Sequence, residues 1–189
     1  MNRARAPFSS PFSFSGLAFA AAILMSPLAP TPAHADKGAA MIDNMVGKWS
    51  GSGKVTYTET WTFNFKCNIE GKPGPVRSQV DLTGKCWTGP LWSRMAAALR
   101  YNPKTRSYVG QFKDGTRTFV IDISGKRRGK KMNLGLKQGK QRGAMDLAFR
   151  SDDELDLKIA LIHPTSKARR QVVNMALQRT PNKVSRLSD

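Results

Sequence analysis

Histidine and cysteine are scarce in this chain, whose 189 residues include two of each. Structural zinc sites use three or four such side chains, so the composition excludes the usual zinc-binding classes. The chain also lacks the glycine-rich loops that cradle phosphates and the G-x-S-x-G motif of serine hydrolases. The sequence therefore predicts no catalytic residue, no metal site and no cofactor, and we expect a protein that is not an enzyme.

An enzyme would have to use His163 or a carboxylate. His163 precedes Pro164 in a predicted turn, where a lone histidine is more often solvated than a general base or a haem ligand. The run Asp152-Asp153-Glu154 lacks the alternating oxygen ligands of a calcium loop. Both features are more typical of solvated turns than of a site.

Acidic residues are also few, 13 against 31 Lys and Arg, which gives a net charge of +18. Such a charge attracts polyanions, although simple solubility would explain it equally well. For an exported protein we expect anionic lipid, lipopolysaccharide or an acidic cell-wall polymer as the partner, and no physiological nucleic acid. The candidate anion-binding residues form three groups: Lys126, Arg127, Arg128, Lys130 and Lys131; Lys137, Lys140 and Arg142; Lys167, Arg169 and Arg170.

Long apolar runs are missing except for Ser15 to Ala29. This run follows Arg3 and Arg5 and precedes Ala33-His34-Ala35, an A-x-A cleavage signal. It falls short of the roughly 18 residues of a membrane helix. We therefore expect a signal peptide over residues 1–35, cleaved after Ala35, and a periplasmic or secreted protein. A folded domain would span residues 36–180, and a basic flexible tail residues 181–189.

Period-two alternation dominates the chain after residue 46. In the segment Thr60–Ile69, Trp61, Phe63, Phe65, Cys67 and Ile69 share one face. Similar segments recur to give about 8–10 strands, with a helical turn over residues 36–46. The pattern predicts an all-β, antiparallel up-and-down meander that forms a barrel or strongly curved sheet. A β-sandwich is the alternative. An outer-membrane barrel is disfavoured because most predicted strands have seven or eight residues and their outward positions carry charges.

Two sets of residues on these strands are candidates for a role inside the barrel. Cys67 and Cys86 have the same parity as the apolar positions of their strands, so we expect a cross-strand disulfide in an exported protein. Trp61, Phe63 and Phe65 are candidate ligand-lining residues, with an ordinary core as the alternative. Trp87 and Trp92 flank a Gly-Pro turn and could lie at a barrel mouth.

Gly47-Lys48-Trp49 resembles the Gly-x-Trp signature of lipocalins and their calycin relatives, in which the tryptophan plugs a barrel below a ligand cavity. The stretch from Met45 to Val55 is similar to the opening of small exported barrel proteins of proteobacteria. The resemblance implies a barrel plug at Gly47 and Trp49. The predicted function is an exported barrel that holds a small hydrophobic ligand and meets anionic envelope surfaces through a basic rim.

The alternative is a protein-interaction module. The order Gly47, Trp49, Cys67, Cys86 also resembles periplasmic inhibitors of metalloproteases. That interpretation requires the N-terminal arm, Asp36 to Met45, to reach into a partner's cleft.

Overall fold

The computed structural model describes residues 36–58, 60–114 and 119–181. These contain one short helix, α1 (Lys37–Asp43), and ten strands. The predicted leader and residues 182–189 of the predicted tail lie outside the described residues. The strands are β1 (Gly47–Thr56), β2 (Thr62–Pro73), β3 (Gln79–Thr88), β4 (Leu91–Asn102), β5 (Ser107–Asp114), β6 (Val120–Arg128), β7 (Lys131–Gln138), β8 (Gln141–Phe149), β9 (Glu154–Ile162) and β10 (Arg169–Arg179).

Each strand pairs antiparallel with the next, and β1 pairs with β10, so the sheet closes into a barrel. The predicted all-β meander with a short N-terminal helix is confirmed, and the sandwich alternative is wrong. Turns alternate between the two ends of such a barrel. The end that carries α1 and the β2–β3, β4–β5, β6–β7 and β8–β9 turns is named the closed end. The opposite end, with the remaining turns, is named the open end.

Most strands are longer than the seven or eight residues expected, with β2 and β4 reaching 12, whereas β5 and β7 have eight. The alternating pattern underestimates strand length because a strand continues through positions where apolar and polar residues no longer alternate. In β2 the chain runs on through Glu70, Gly71 and Lys72, which pair with both β1 and β3 or with β3 alone. Inside the barrel, inward positions such as Ile69, Leu134 and Leu177 are buried.

Helix α1 covers the closed end. The Asp36 carboxylate caps it by accepting from the Gly38 backbone N–H at 2.8 Å. The Tyr101 hydroxyl donates to Asp36 at 3.2 Å, and the Tyr108 hydroxyl donates to the Gly38 carbonyl at 3.1 Å. Residue 38 must be glycine because a Cβ there would lie 2.2 Å from the Tyr101 ring. Ile42 is fully buried against the barrel.

The arm from Asp36 to Met45, which the protease-inhibitor alternative involves, is folded onto the barrel, where Tyr101 and Tyr108 hydrogen-bond to Asp36 and Gly38. The alternative itself stays a prediction. Within the described ranges, no helix has the length and apolar character needed to span a bilayer.

Candidate functional site: an apolar cavity in the barrel

The barrel encloses a cavity of about 350 Å³. Inward side chains of all ten strands form its wall, and nearly all of them are apolar. The polar and charged lining residues Lys137, Gln138, Gln141 and Arg142 belong to a single hairpin, β7–β8, at the open end. The cavity therefore has an apolar body and a polar margin on one side of its mouth.

The floor of the cavity is Trp49, together with Met45. The Trp49 indole N–H donates to the Met45 carbonyl at 3.1 Å, and its ring meets Phe149 edge-on with centroids 6.3 Å apart. The side chain is only 3% exposed. Gly47, the other residue of the motif, has a φ of +121°, a conformation that L side chains rarely adopt. The motif thus places one buried tryptophan across the closed end.

Arg179 holds this floor in place and was missed by sequence reasoning. Its guanidinium lies 4.4 Å from the centroid of the Trp49 ring. It donates to the carbonyls of Val46 and Asn44 at 2.6 and 2.8 Å, and to that of Asp152. An ion pair with Asp153 adds a fourth partner. The arginine is 130 residues from the tryptophan, so only the closure of β1 onto β10 brings them together.

The predicted disulfide is confirmed. Cys67 and Cys86 are directly opposite each other on β2 and β3, with Cα atoms 4.1 Å apart. Both sulfur-bearing residues line the cavity, and the Cys86 sulfur contacts the Met95 sulfur at 3.8 Å. The bridge is therefore part of the cavity wall as well as a link between two strands.

The three aromatic candidates, Trp61 just before β2 and Phe63 and Phe65 on it, have different positions. Phe65 lies in the cavity wall. Phe63 and Trp61, which form an edge-to-face pair with centroids 6.0 Å apart, are 42% and 62% exposed. They share the inward parity of Phe65 but lie beyond Lys66, where the pairing of β2 with β3 begins. Without β3 beside them, they rise above the wall at the open end rather than lining it.

The eleven basic candidates do not form one rim. Lys126, Arg127, Arg128, Lys130 and Lys131 surround the β6–β7 turn at the closed end. Lys137, Lys140 and Arg142 lie on the β7–β8 hairpin, and Lys167, Arg169 and Arg170 on the β9–β10 connection, at the open end. Consecutive hairpins point to opposite ends of a meander, so residues close in sequence are separated by the length of the barrel.

A basic and aromatic cluster lies on the outer face of β3 and β4. Sequence reasoning singled out its two tryptophans but missed its two basic residues. Trp87 pairs with Trp92 across the strands, and Lys85 with Arg94. The Lys85 ammonium lies 4.0 Å from the centroid of the Trp92 ring and 5.4 Å from that of Trp87. The cluster could have been predicted from the basic and aromatic residues at the alternate positions 85, 87, 92 and 94, which share one face of the hairpin around Thr88 and Leu91.

The residues considered for enzyme chemistry have structural partners. The His163 Nδ1 accepts from the backbone N–H groups of Thr165 and Ser166 at 3.3 and 3.2 Å, so it caps its own turn. Asp153 pairs with Arg179. In the described ranges, no cluster of three or more His, Cys, Asp or Glu residues could hold a metal ion.

Two buried tyrosines lie under α1. Their rings are tilted against each other with centroids 5.1 Å apart. Burial raises the pKa of Tyr108 to about 12, and the neighbouring Tyr101 adds to the effect. Burial also raises the pKa of Tyr101, whose hydroxyl donates to Asp36. Both phenols therefore stay protonated and hydrogen-bonded well above neutral pH.

No family model matches the chain, and no curated protein matches it. Among solved structures, it is similar to Rv2717c of M. tuberculosis, with a TM-score of 0.59 and 12% identity over 77% of this chain and 99% of that one. It is also similar to the S-type phycobiliprotein lyase CPES of Guillardia theta, with a TM-score of 0.56 and 10% identity over 76% and 93% of the two chains. At these identities the likeness shows the fold alone.

The comparisons support the barrel that the calycin resemblance implied, whereas lipocalin membership and a proteobacterial source stay predictions. They also correct one expectation. The sequence predicted that the protein is not an enzyme, because it carries no recognisable catalytic motif. A protein of this fold is a lyase, so the lack of such a motif does not exclude enzymatic function from a barrel of this kind.

Proposed function

We propose that this protein is an exported binding barrel whose ligand is a small, predominantly apolar molecule. The observation that carries the proposal is the cavity itself: about 350 Å³, walled by apolar side chains from every strand, with polar groups confined to one hairpin at its mouth. Ligand sites typically have volumes of roughly 300–1,000 Å³ and mostly apolar linings with a few polar groups. A filled interior would leave no such space.

Export is the second part of the proposal. It is supported by the Cys67–Cys86 disulfide, because such bonds persist in oxidising compartments and are rare in the cytosol. The predicted leader is consistent with it. Detecting a mature protein that begins at Asp36 in the secreted or periplasmic fraction would test this part, and a cytosolic protein that keeps residues 1–35 would overturn it.

The ligand proposal is tested with an uncharged fluorescent probe, N-phenyl-1-naphthylamine. Ala97 lies in the cavity wall, and its neighbour Ala98 faces outward on the same strand. We expect Ala97→Phe to weaken probe binding by about tenfold or more, since the new ring takes up ligand space, and Ala98→Phe to leave it within about twofold. Equal affinities of the two variants would contradict binding in the cavity. Mass spectrometry of an organic extract of the purified protein would identify a natural ligand.

A further inference from the structure

The two ends of the barrel differ in how many large hydrophobic side chains they expose. The most exposed large hydrophobic side chains of the described residues lie at the open end. Tyr57 and Leu91 are 73% and 74% exposed, and Trp61 and Trp92 are 62% and 52% exposed. Tyr57 and Trp61 lie in the β1–β2 connection, and Leu91 and Trp92 begin β4. The two sets are neighbours at the mouth because β2 pairs with β3. Leu161, on β9, extends the set to the other side of the opening.

The charges are also unequally distributed. Basic side chains lie at both ends. The open end carries Lys66, Lys85, Arg94 and the six candidates on the β7–β8 and β9–β10 connections, and the closed end carries the five candidates around the β6–β7 turn together with others such as Lys72 and Arg150. The two ends therefore differ in net charge through their acidic residues. Acidic residues of the described ranges gather mainly at the closed end, whereas Asp114 at the end of β5 and Asp122 on β6 lie toward the open end. The closed-end acids are Asp36, Asp43, Glu70, Asp81, Asp152, Asp153, Glu154 and Asp156.

We propose that the open end is a membrane-docking face, and that it binds the surface of an anionic lipid bilayer with the cavity mouth toward the lipid. Tryptophan and tyrosine favour the interface between lipid and water, and lysine and arginine bind the phosphates of anionic headgroups. The stack of Lys85 on Trp92 places both kinds of group side by side. Docking requires no ligand in the cavity, so this inference goes beyond the proposed function.

The arrangement favours a fluid surface over a rigid partner. The exposed apolar side chains stand on separate turns around an opening, with basic side chains between them. A protein partner would have to match each of these points and leave a hole over the mouth. A bilayer adapts to all of them together, and its headgroups supply the negative charge that the basic side chains need.

The test measures co-sedimentation of the whole mature chain with two kinds of vesicle, phosphatidylcholine alone and phosphatidylcholine mixed with phosphatidylglycerol. We expect binding to the mixed vesicles that falls steeply with added salt, and weak binding to the neutral ones. Equal binding to both vesicles, or binding to neither, would overturn the proposal.

Matched triple variants test the orientation. The open-end triple is Lys137→Gln, Lys140→Gln and Arg169→Gln, and the closed-end triple is Lys126→Gln, Arg128→Gln and Lys130→Gln. Both remove two lysines and one arginine at exposed positions, so an unoriented attraction by net charge predicts equal losses. We expect the open-end triple to lose about tenfold or more of its vesicle binding, and the closed-end triple less than about twofold. Equal losses would overturn the docking face.

A second pair of variants tests the apolar contribution. Leu91 at the open end and Val76 at the closed end are both exposed, at 74% and 44%. Leu91→Ser should weaken vesicle binding and Val76→Ser should not. Ala97→Phe, which fills the cavity, should bind vesicles like the unaltered protein, so loss of ligand binding and loss of docking are separable. Circular dichroism of each variant establishes that it folds. The proposal would be contradicted if folded Val76→Ser protein lost vesicle binding while folded Leu91→Ser protein kept it.

Discussion

At the scale of single residues, the closed end depends on groups that satisfy several partners at once. Arg179 is the clearest case. Its guanidinium packs on the Trp49 ring, donates to the carbonyls that precede β1 and to the Asp152 carbonyl, and pairs with a carboxylate. A lysine has the same charge but no planar fork of donors, so it cannot reproduce this arrangement.

We therefore expect Arg179→Lys to lower the free energy of unfolding by about 2–3 kcal/mol, because half-buried carbonyls lose their donors. Arg150→Lys is the control, because the Arg150 side chain is 65% exposed in its pair with Asp156, so the substitution should cost less than about 1 kcal/mol. Urea unfolding followed by tryptophan fluorescence measures both. Equal costs would show that Arg179 does not hold the closed end.

Tyr108 gives a prediction about pH. Its pKa is raised to about 12 in the folded protein, against about 10 in an unfolded chain. The protonated phenol is thus favoured by folding. Its contribution to stability is fully present below pH 10 and is lost as the pH rises from about 10 toward 12.

Phenolate absorbance at 295 nm should therefore continue to rise toward pH 12 in the folded protein, and Tyr108→Phe should remove the last part of that rise. Far-ultraviolet circular dichroism over the same range is the control that the barrel is still folded. A titration of the variant that superimposes on that of the unaltered protein would contradict the assignment.

At the scale of elements, the hairpins decide which side chains meet. Alternation in the sequence predicted the inward faces, the antiparallel meander and the parity of Cys67 with Cys86, because these depend on local period and on neighbouring strands. It did not predict that the basic hairpins face opposite ends, nor that β2 outruns β3 and leaves Trp61 and Phe63 above the wall. Those outcomes depend on strand lengths and on register, which a two-residue period does not fix.

The Cys67–Cys86 disulfide between β2 and β3 should make the protein more stable than a variant that lacks it. The bridge closes a loop of 19 residues, and the entropic account gives roughly 3 kcal/mol for a loop of this size. The double variant Cys67→Ala, Cys86→Ala should be less stable by about that amount, and the unaltered protein should show no free thiol when denatured without reductant. Two free thiols in that assay would contradict the bridge.

The turn into β1 is a second case at this scale. Gly47 has a positive φ, and a Cβ there would lie 2.6 Å from the Arg179 guanidinium. Gly89 also has a positive φ, but a Cβ there would meet nothing within 4 Å. We expect Gly47→Ala to be destabilising by about 2 kcal/mol or more and Gly89→Ala by about 1 kcal/mol. Thermal unfolding compares them, and a Gly89→Ala cost equal to that of Gly47→Ala would remove the role of the Arg179 contact.

At the scale of the whole molecule, closure of the barrel creates both the cavity and the floor beneath it. The alternation of the sequence predicted neither, because the wall takes residues from every strand and the floor joins Trp49 on the first strand to Arg179 on the last. The motif Gly47-Lys48-Trp49 implied a plug only through the resemblance. The space above the plug depends on how far ten strands hold the walls apart.

A bound ligand should stabilise the whole barrel by mass action. At a probe concentration about 100 times its Kd, the expected gain is about 2.7 kcal/mol in the free energy of unfolding. Ala97→Phe should lose this gain, and Ala98→Phe should keep it. Differential scanning calorimetry with and without N-phenyl-1-naphthylamine measures the gain, and an equal rise in Tm for both variants would place the probe outside the barrel.

Both ends of the domain lie at the closed end of the barrel. Asp36 caps α1 on the closed end, and the Thr180 N–H bonds to the Lys48 carbonyl at the start of β1. An affinity tag or fluorescent protein fused at either position would sit at the far pole from the opening. A chip coated through such a tag would display every molecule with its mouth outward, and two domains joined head to tail would both keep their entrances clear.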